Sequence, residues 1–214
     1  MKNKPIIIIG GEPYSIFFEI FFKSLKKKSI KKITKPIILI ASKSLLVNQM
    51  KKLKFKFKIQ EIKLQNLEIS KINNKQINII NVNFKNSKTF DKISSKSNNY
   101  IEKSCNIALE LLKQTSSKVL INGPISKKFF LKNKFPGMTE YFAAKVKKKN
   151  KAVMLIYNDD ISVSPITTHM SLRKIFGFIT KKKIVSNLKI INNFYKKYLN
   201  KVPKFGITGI NPHC

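Results

Sequence analysis

PIIIIGGEPYS, residues 5–15, decides the fold. Four β-branched residues in a row, closed by a Gly-Gly pair, read as a short strand buried on both faces. The turn GGEPYS then leads into an amphipathic helix from Ser15 to Lys27. The same grammar repeats outward. Pro36 to Ala41 is a second apolar run, followed by a helix near Lys43 to Leu53. Lys54 to Ile62 alternates and reads as a more exposed strand, and Ile77 to Phe84 is a further apolar run. The polar stretch Lys85 to Lys96 is a loop. Asn98 to Gln114 is a helix with apolar residues at Ile101, Cys105, Ala108, Leu111 and Leu112. Val119 to Ile121 is a buried strand ending in NGPISKK, and Thr139 to Lys147 is helical. Ala152 to Tyr157 and Ile161 to Ile166 read as paired strands around the turn NDD, Ile184 to Leu199 as a long helix, and Phe205 to Ile210 as a last strand. Alternating strands and helices predict an α/β class, with a mostly parallel sheet and flanking helices on both faces.

The two histidines, His169 and His213, close the runs ISVSPITTH (161–169) and KFGITGINPH (204–213). Ligands and metals collect at the carboxyl ends of strands in open α/β sheets. Neutral imidazole is a common ligand for divalent metals, so the pair could share one ion. On spacing alone each is equally an ordinary polar residue at a strand exit, since catalytic zinc takes about three protein ligands. A shared site would place their Cα atoms within about 12 Å, the reach of two side chains around one metal.

The chain has 214 residues and a net charge of +34, which by itself points to nucleic acid or an anionic membrane. Three features argue against that. Arg173 is the one arginine, and guanidinium is the group favoured for bidentate contacts to bases and phosphates. The lysines are scattered through the chain. Ile, Asn and Phe are abundant beside Lys, a pattern of A- and T-rich codons. A solvated lysine-rich surface with weak, non-specific adhesion to polyanions is expected, with no specific nucleic acid and no membrane as partner. Lysine runs at 26–28, 147–149 and 181–183 read as solvated helix ends. Cys105 and Cys214 have no metal-site spacing, and a two-cysteine chain of this size reads as reduced and cytosolic. No apolar run reaches the ~18 residues of a membrane span.

Neither a G-x-G-x-x-G nor a G-x-x-x-x-G-K-[ST] fingerprint is present. What the chain carries is a series of strand-end turns: GEP at 11–13, NGPISKK at 122–128, FPGMTEY at 135–141, TTH at 167–169 and NPH at 211–213. In this order they resemble the 4-hydroxythreonine-4-phosphate dehydrogenase family, whose words are GEPAGIGPE or GDPAGIGPE, TGPI-K, F-GHTE, TTH and NPHAGE. The first word is altered here to GEPYSIFFE, which keeps Gly11, Glu12, Pro13 and Glu19 but loses the inner glycines. The family's GHTE becomes Gly137, Met138, Thr139, Glu140.

The resemblance implies an isocitrate/isopropylmalate dehydrogenase-like fold and a homodimer with the metal site at its interface. It implies NAD and a divalent metal (zinc, magnesium or cobalt) as cofactors and a small phosphorylated substrate. The implied reaction is the NAD-linked oxidation of 4-phosphohydroxy-L-threonine, with decarboxylation, in pyridoxal 5'-phosphate biosynthesis. It makes His169 and His213 metal ligands and has Thr139 hydrogen-bond the substrate. Met138 stands where the family has a substrate-contacting histidine, and a thioether cannot hydrogen-bond in that way. The resemblance assigns no catalytic or NAD-binding residue. GPISKK, at a helix start, could hold anionic groups, or Lys127 and Lys128 are simply surface lysines. Glu12 is either part of the site or a turn carboxylate held by its own backbone.

The family is longer by roughly half again and has its third metal histidine in a later segment, so residues 1–214 are expected to be the N-terminal two-thirds of such an enzyme, inactive alone. A dehydrogenase of another phosphorylated hydroxy acid is the alternative within enzymes. A basic nucleic-acid-binding module is the alternative outside them.

Overall fold

The isoleucine run becomes a strand with neighbours on both sides. The structure is a computed structural model that describes residues 4–65, 67–85, 88–132, 134–147, 152–168 and 171–209. In it β1 (Ile6–Ile9) lies between β2 (Ile37–Ala41) and β5 (Val119–Asn122). Beyond β2 come β4 (Ile77–Asn81) and the three-residue edge strand β3 (Ile59–Glu61). The order is β3-β4-β2-β1-β5, and every pairing is parallel. The register sets Ile8 beside Leu39, and Leu39 beside Ile79.

Strand side chains alternate between faces. Ile8, Leu39, Ala41, Ile77 and Ile79 belong to one core, with α1 (Phe17–Lys26) and α3 (Lys43–Lys52) laid over it. Phe18, Phe21 and Phe22 are the buried stripe of α1, and Phe22 is fully enclosed. Its ring sits 5.3 Å from that of Phe55 and 5.9 Å from that of Phe57. Glu19 in the first turn of α1 and Lys23 and Lys26 in the last suit the helix dipole. A short helix, α2 (Lys28–Lys31), follows. The opposite faces of the same strands carry Ile7, Ile9, Ile38 and Ile40, all buried. The long helix α4 (Asn98–Thr115) packs against β1, β2 and β5 and buries Ile101, Cys105, Ala108 and Leu111. Cys105 is fully buried. Helices therefore cover both faces of a parallel sheet, as the sequence pattern predicts.

The chain divides into two compact units, 1–132 and 133–214. The second holds α5 (Met138–Lys145), α6 (Leu172–Phe178) and α7 (Lys181–Phe194), which runs on into a π-helical turn, Tyr195–Leu199.

Three strand expectations differ from the structure. Around NDD there is no hairpin of two strands, only a single antiparallel bridge between Ile156 and Val163. Both residues are more than half exposed, at 56% and 55%, so no buried face rewards extending the ladder. Pro165, two residues on, has no N–H to donate. Of the expected last strand, residues 205–209 carry no strand pairing; Phe205 and Ile207 are exposed, and Gly206 and Gly209 interrupt the run. Lys54 to Ile62 shrinks to β3, because Phe55 and Phe57 turn onto the aromatic core instead of alternating along a strand.

Candidate active site at the carboxyl ends of the sheet

Strand order locates the crevice. The chain moves from β1 outward to β2, β4 and β3, then returns to place β5 on the other side of β1. The switch point of an open parallel sheet lies where that direction reverses, outside the strand carboxyl ends. Here it falls between β1 and β5, and two of the singled-out sequence words, GEP and NGPISKK, meet there.

Glycine makes the meeting possible. Gly123 N–H donates to the Ile9 carbonyl at 2.8 Å, and Glu12 N–H to the Pro124 carbonyl at 2.8 Å. A Cβ on Gly123 would collide with the Gly10 carbonyl oxygen. A Cβ on Gly11 would stand 2.5 Å from the Pro124 carbonyl oxygen, and Gly11 has φ +73°, where side chains are disfavoured. Pro13 is tied down next: Gln49 of α3 donates through Nε2 to the Pro13 carbonyl at 3.1 Å and to the Thr89 carbonyl at 3.0 Å.

Glu12 lies at the centre of this junction and is only 3% exposed. Its Oε1 is 2.5 Å from Ser97 Oγ, at the start of α4. Its Oε2 is buried without a hydrogen-bond partner, as is Asn98 Oδ1 one residue further along. Asn98 Nδ2 donates to the Phe129 carbonyl at 2.9 Å. Burial pushes the Glu12 carboxyl above its ordinary value, and the hydrogen bond with Ser97 and the Ser126 N–H pull the other way. Ser126 caps the π-helical turn Lys127–Leu131, its side chain accepting from Phe129 N–H. Lys127 and Lys128 begin that turn, both exposed. The junction thus brings two helical starts together, a setting suited to anionic groups. Tyr100, one turn into α4, is fully buried, and its hydroxyl accepts from Ser42 N–H at the end of β2.

Met138 and Thr139 form the first turn of α5, behind Gly137 as N-cap; Met138 is half-buried and Thr139 exposed. Glu140 in the same turn suits the helix dipole. Thr167 and Thr168 are half-buried, whereas His169 and the whole NPH word lie outside the described residues. The expected closeness of His169 and His213 therefore has no counterpart among them. Among the described residues no group of three His, Cys, Asp or Glu could hold a metal ion. Sequence reasoning missed Ser97 as the partner of Glu12. The available signal was its place just before the helix, where a serine ordinarily caps; here its side chain makes no cap bond and turns to Glu12 instead.

The model of the family described as "Pyridoxal phosphate biosynthetic protein PdxA" matches residues 32–214. The chain belongs to the PdxA family. That match starts beyond the GEP word, the one in which the inner glycines are lost. A 4-hydroxythreonine-4-phosphate dehydrogenase of Sulfurihydrogenibium sp. (strain YO3AOP1) is 31% identical over 212 residues, 98% of this chain and 63% of the relative. A protein of Oceanobacillus iheyensis, provisionally named D-threonate 4-phosphate dehydrogenase, is 25% identical over 221 residues, 100% of this chain and 65% of its own length. The chain thus spans just under two-thirds of the length of these relatives. Among solved structures, a 4-hydroxythreonine-4-phosphate dehydrogenase from Klebsiella pneumoniae superposes with a TM-score of 0.74 at 18% identity, over 90% of this chain and 59% of that one. One from Burkholderia phymatum gives 0.75 at 21% identity, over 98% and 63%. These two likenesses establish the shared fold. Among the described residues, no helix is long and apolar enough to cross a membrane.

Proposed function

We propose that this PdxA-family chain is the N-terminal part of an NAD-linked dehydrogenase that oxidises 4-phosphohydroxy-L-threonine, with decarboxylation, in pyridoxal 5'-phosphate biosynthesis. The family match over residues 32–214 carries the reading. The glycine-lined junction at the switch point supports it as a place for anionic groups. Backbone N–H groups at the start of the 127–131 turn, with Lys127 and Lys128, bind and orient phosphate or carboxylate. Thr139, exposed in the first turn of α5, hydrogen-bonds the substrate. Met138 beside it supplies apolar contact and no proton. NAD would take up the hydride. A divalent metal (zinc, magnesium or cobalt) held by His169 and His213 would lower the pKa of the substrate hydroxyl. A homodimer with that metal at its interface belongs to the same proposal.

The natural protein containing this chain should form NADH from 4-phosphohydroxy-L-threonine in a metal-dependent way. His169→Ala and His213→Ala should each remove most of that activity and weaken zinc binding measured by calorimetry, while Cys105→Ala should leave both intact. Unchanged zinc binding in either histidine variant would remove the metal assignment. A second reading is favoured by Met138 and by the Oceanobacillus relative: NADH formation from D-threonate 4-phosphate alone would move the substrate there.

A further inference from the structure

Glu12 presents a problem of proton accounting. Ser97 Oγ carries one hydrogen and has two oxygen neighbours, Glu12 Oε1 at 2.5 Å and the Ser94 carbonyl at 2.9 Å. A carbonyl oxygen can only accept. If Ser97 donates to Ser94, Glu12 must donate to Ser97, and both contacts are hydrogen bonds. If Glu12 is ionised, Ser97 has one proton for two acceptors, and the buried charge has an Oε2 without a hydrogen bond in ordinary reach and only the Ser126 N–H besides Ser97 to offset burial. An unpaired buried charge costs far more than a neutral carboxyl group there. Glu12 takes no part in the ion pairs that join Lys23 to Glu19, Lys43 to Glu61 and Lys71 to Glu68.

We propose that Glu12 is held as the neutral acid and donates its proton to Ser97, so that it positions the start of α4 against the end of β1 at the candidate site. The chain Glu12 O–H to Ser97 Oγ, and Ser97 O–H to the Ser94 carbonyl, then runs in one direction with both hydroxyl protons used, and the unbonded Oε2 belongs to a neutral group instead of a charged one. The inference rests on this hydrogen-bond geometry and is independent of the reaction assigned to the crevice. Burial raising the Glu12 pKa agrees with it. Titratable groups on the surrounding elements include Tyr14 in the same turn, Asp91, Lys92 and Lys96 before α4, Tyr100, Glu102, Lys103 and Cys105 on α4, and Lys127 and Lys128 after Ser126. Burial keeps the Tyr100 phenol neutral. The lysines among them are exposed to solvent, and none of them acts on the Glu12 carboxyl among the causes of its shift.

The linkage has a definite sign. A carboxyl whose folded pKa lies above its ordinary value of 4.5 binds its proton more tightly when folded. That stabilisation is complete below the ordinary value and is lost as pH rises through the folded pKa. Glu12→Gln keeps a neutral donor of the same shape and has no proton to lose. Urea unfolding of both proteins from pH 5 to pH 8 should show a gap that widens in favour of Glu12→Gln, by up to about tenfold in the unfolding constant per pH unit within the window. A constant gap, or one widening in favour of the parent protein, overturns the proposal. Infrared spectroscopy supplies a reading that does not depend on the Gln variant folding. At pH 6 the parent protein should show the C=O stretch of a hydrogen-bonded neutral acid. Ser97→Ala should shift that band towards the frequency of an acid without an acceptor. Absence of any neutral-acid band at pH 6 overturns the proposal.

Discussion

Glu12 and Ser97 are 85 residues apart in the chain, yet their side chains meet 2.5 Å apart, joining the turn after β1 to the first residue before α4. The contact is local in space and remote in sequence, so it orders two elements that hydrophobic packing alone would align only loosely. Removing the Ser97 hydroxyl leaves a buried carboxyl without its partner. Ser97→Ala should therefore destabilise the protein by about 1–3 kcal/mol, read from the urea midpoint. Ser95→Ala, at an exposed site in the preceding turn, should stay within about 0.5 kcal/mol. Equal effects of the two would show that the contact contributes nothing.

The two glycine contacts make a steric prediction. Gly123→Ala drives a methyl group into the Gly10 carbonyl oxygen, and Gly11→Ala does the same against Pro124 at a positive φ. Each should cost about 1–3 kcal/mol or prevent folding. Gly206→Ala, with nothing within 4 Å of the added carbon, is the control and should be close to neutral. Thermal midpoints of the three variants check the ranking.

Phe22 is the aromatic keystone of the α1 face, fully enclosed and in ring contact with Phe18, Phe21, Phe55 and Phe57. Phe22→Ala should cost about 3–5 kcal/mol. Phe90→Ala, at a partly exposed ring, should cost far less. Chemical denaturation of both variants makes the comparison.

Met138 offers a gain-of-contact test. If the first turn of α5 faces substrate as proposed, Met138→His adds a hydrogen-bond donor. One new bond to a charged phosphate would lower the KM for 4-phosphohydroxy-L-threonine about tenfold. An unchanged KM in a folded variant would place that turn away from the substrate.

Much of the sheet was legible because its signal is local. Ile6–Ile9, Ile37–Ala41 and Ile77–Asn81 are runs of apolar residues bounded by polar or turn residues, and each became a buried strand. Helix α4 was legible from the spacing of Ile101, Cys105, Ala108 and Leu111. The segments that misled, 152–166 and 205–209, have the right residue types but no surface to bury them on. Ile156, Val163 and Ile207 remain exposed, and strand propensity without a packed face is weak. The GEP and NGPISKK words could be singled out as strand-end turns, but their convergence depends on strand order, which periodicity does not encode. The Glu12–Ser97 link was invisible for the same reason.

The meeting of Gly10 with Gly123 also answers a question of alignment that β1 itself poses. Four identical isoleucines give a neighbouring strand no landmark: sliding β5 by two residues along β1 would present the same side chains to the same face. The observed register, Ile6 beside Val119 through Ile9 beside Asn122, ends where two residues lacking side chains come together. A slip in either direction brings a residue with a side chain into that close approach. The glycine pair therefore acts as a stop for an otherwise uninformative strand, and the positions that shape the crevice also fix which rung of the ladder β5 occupies.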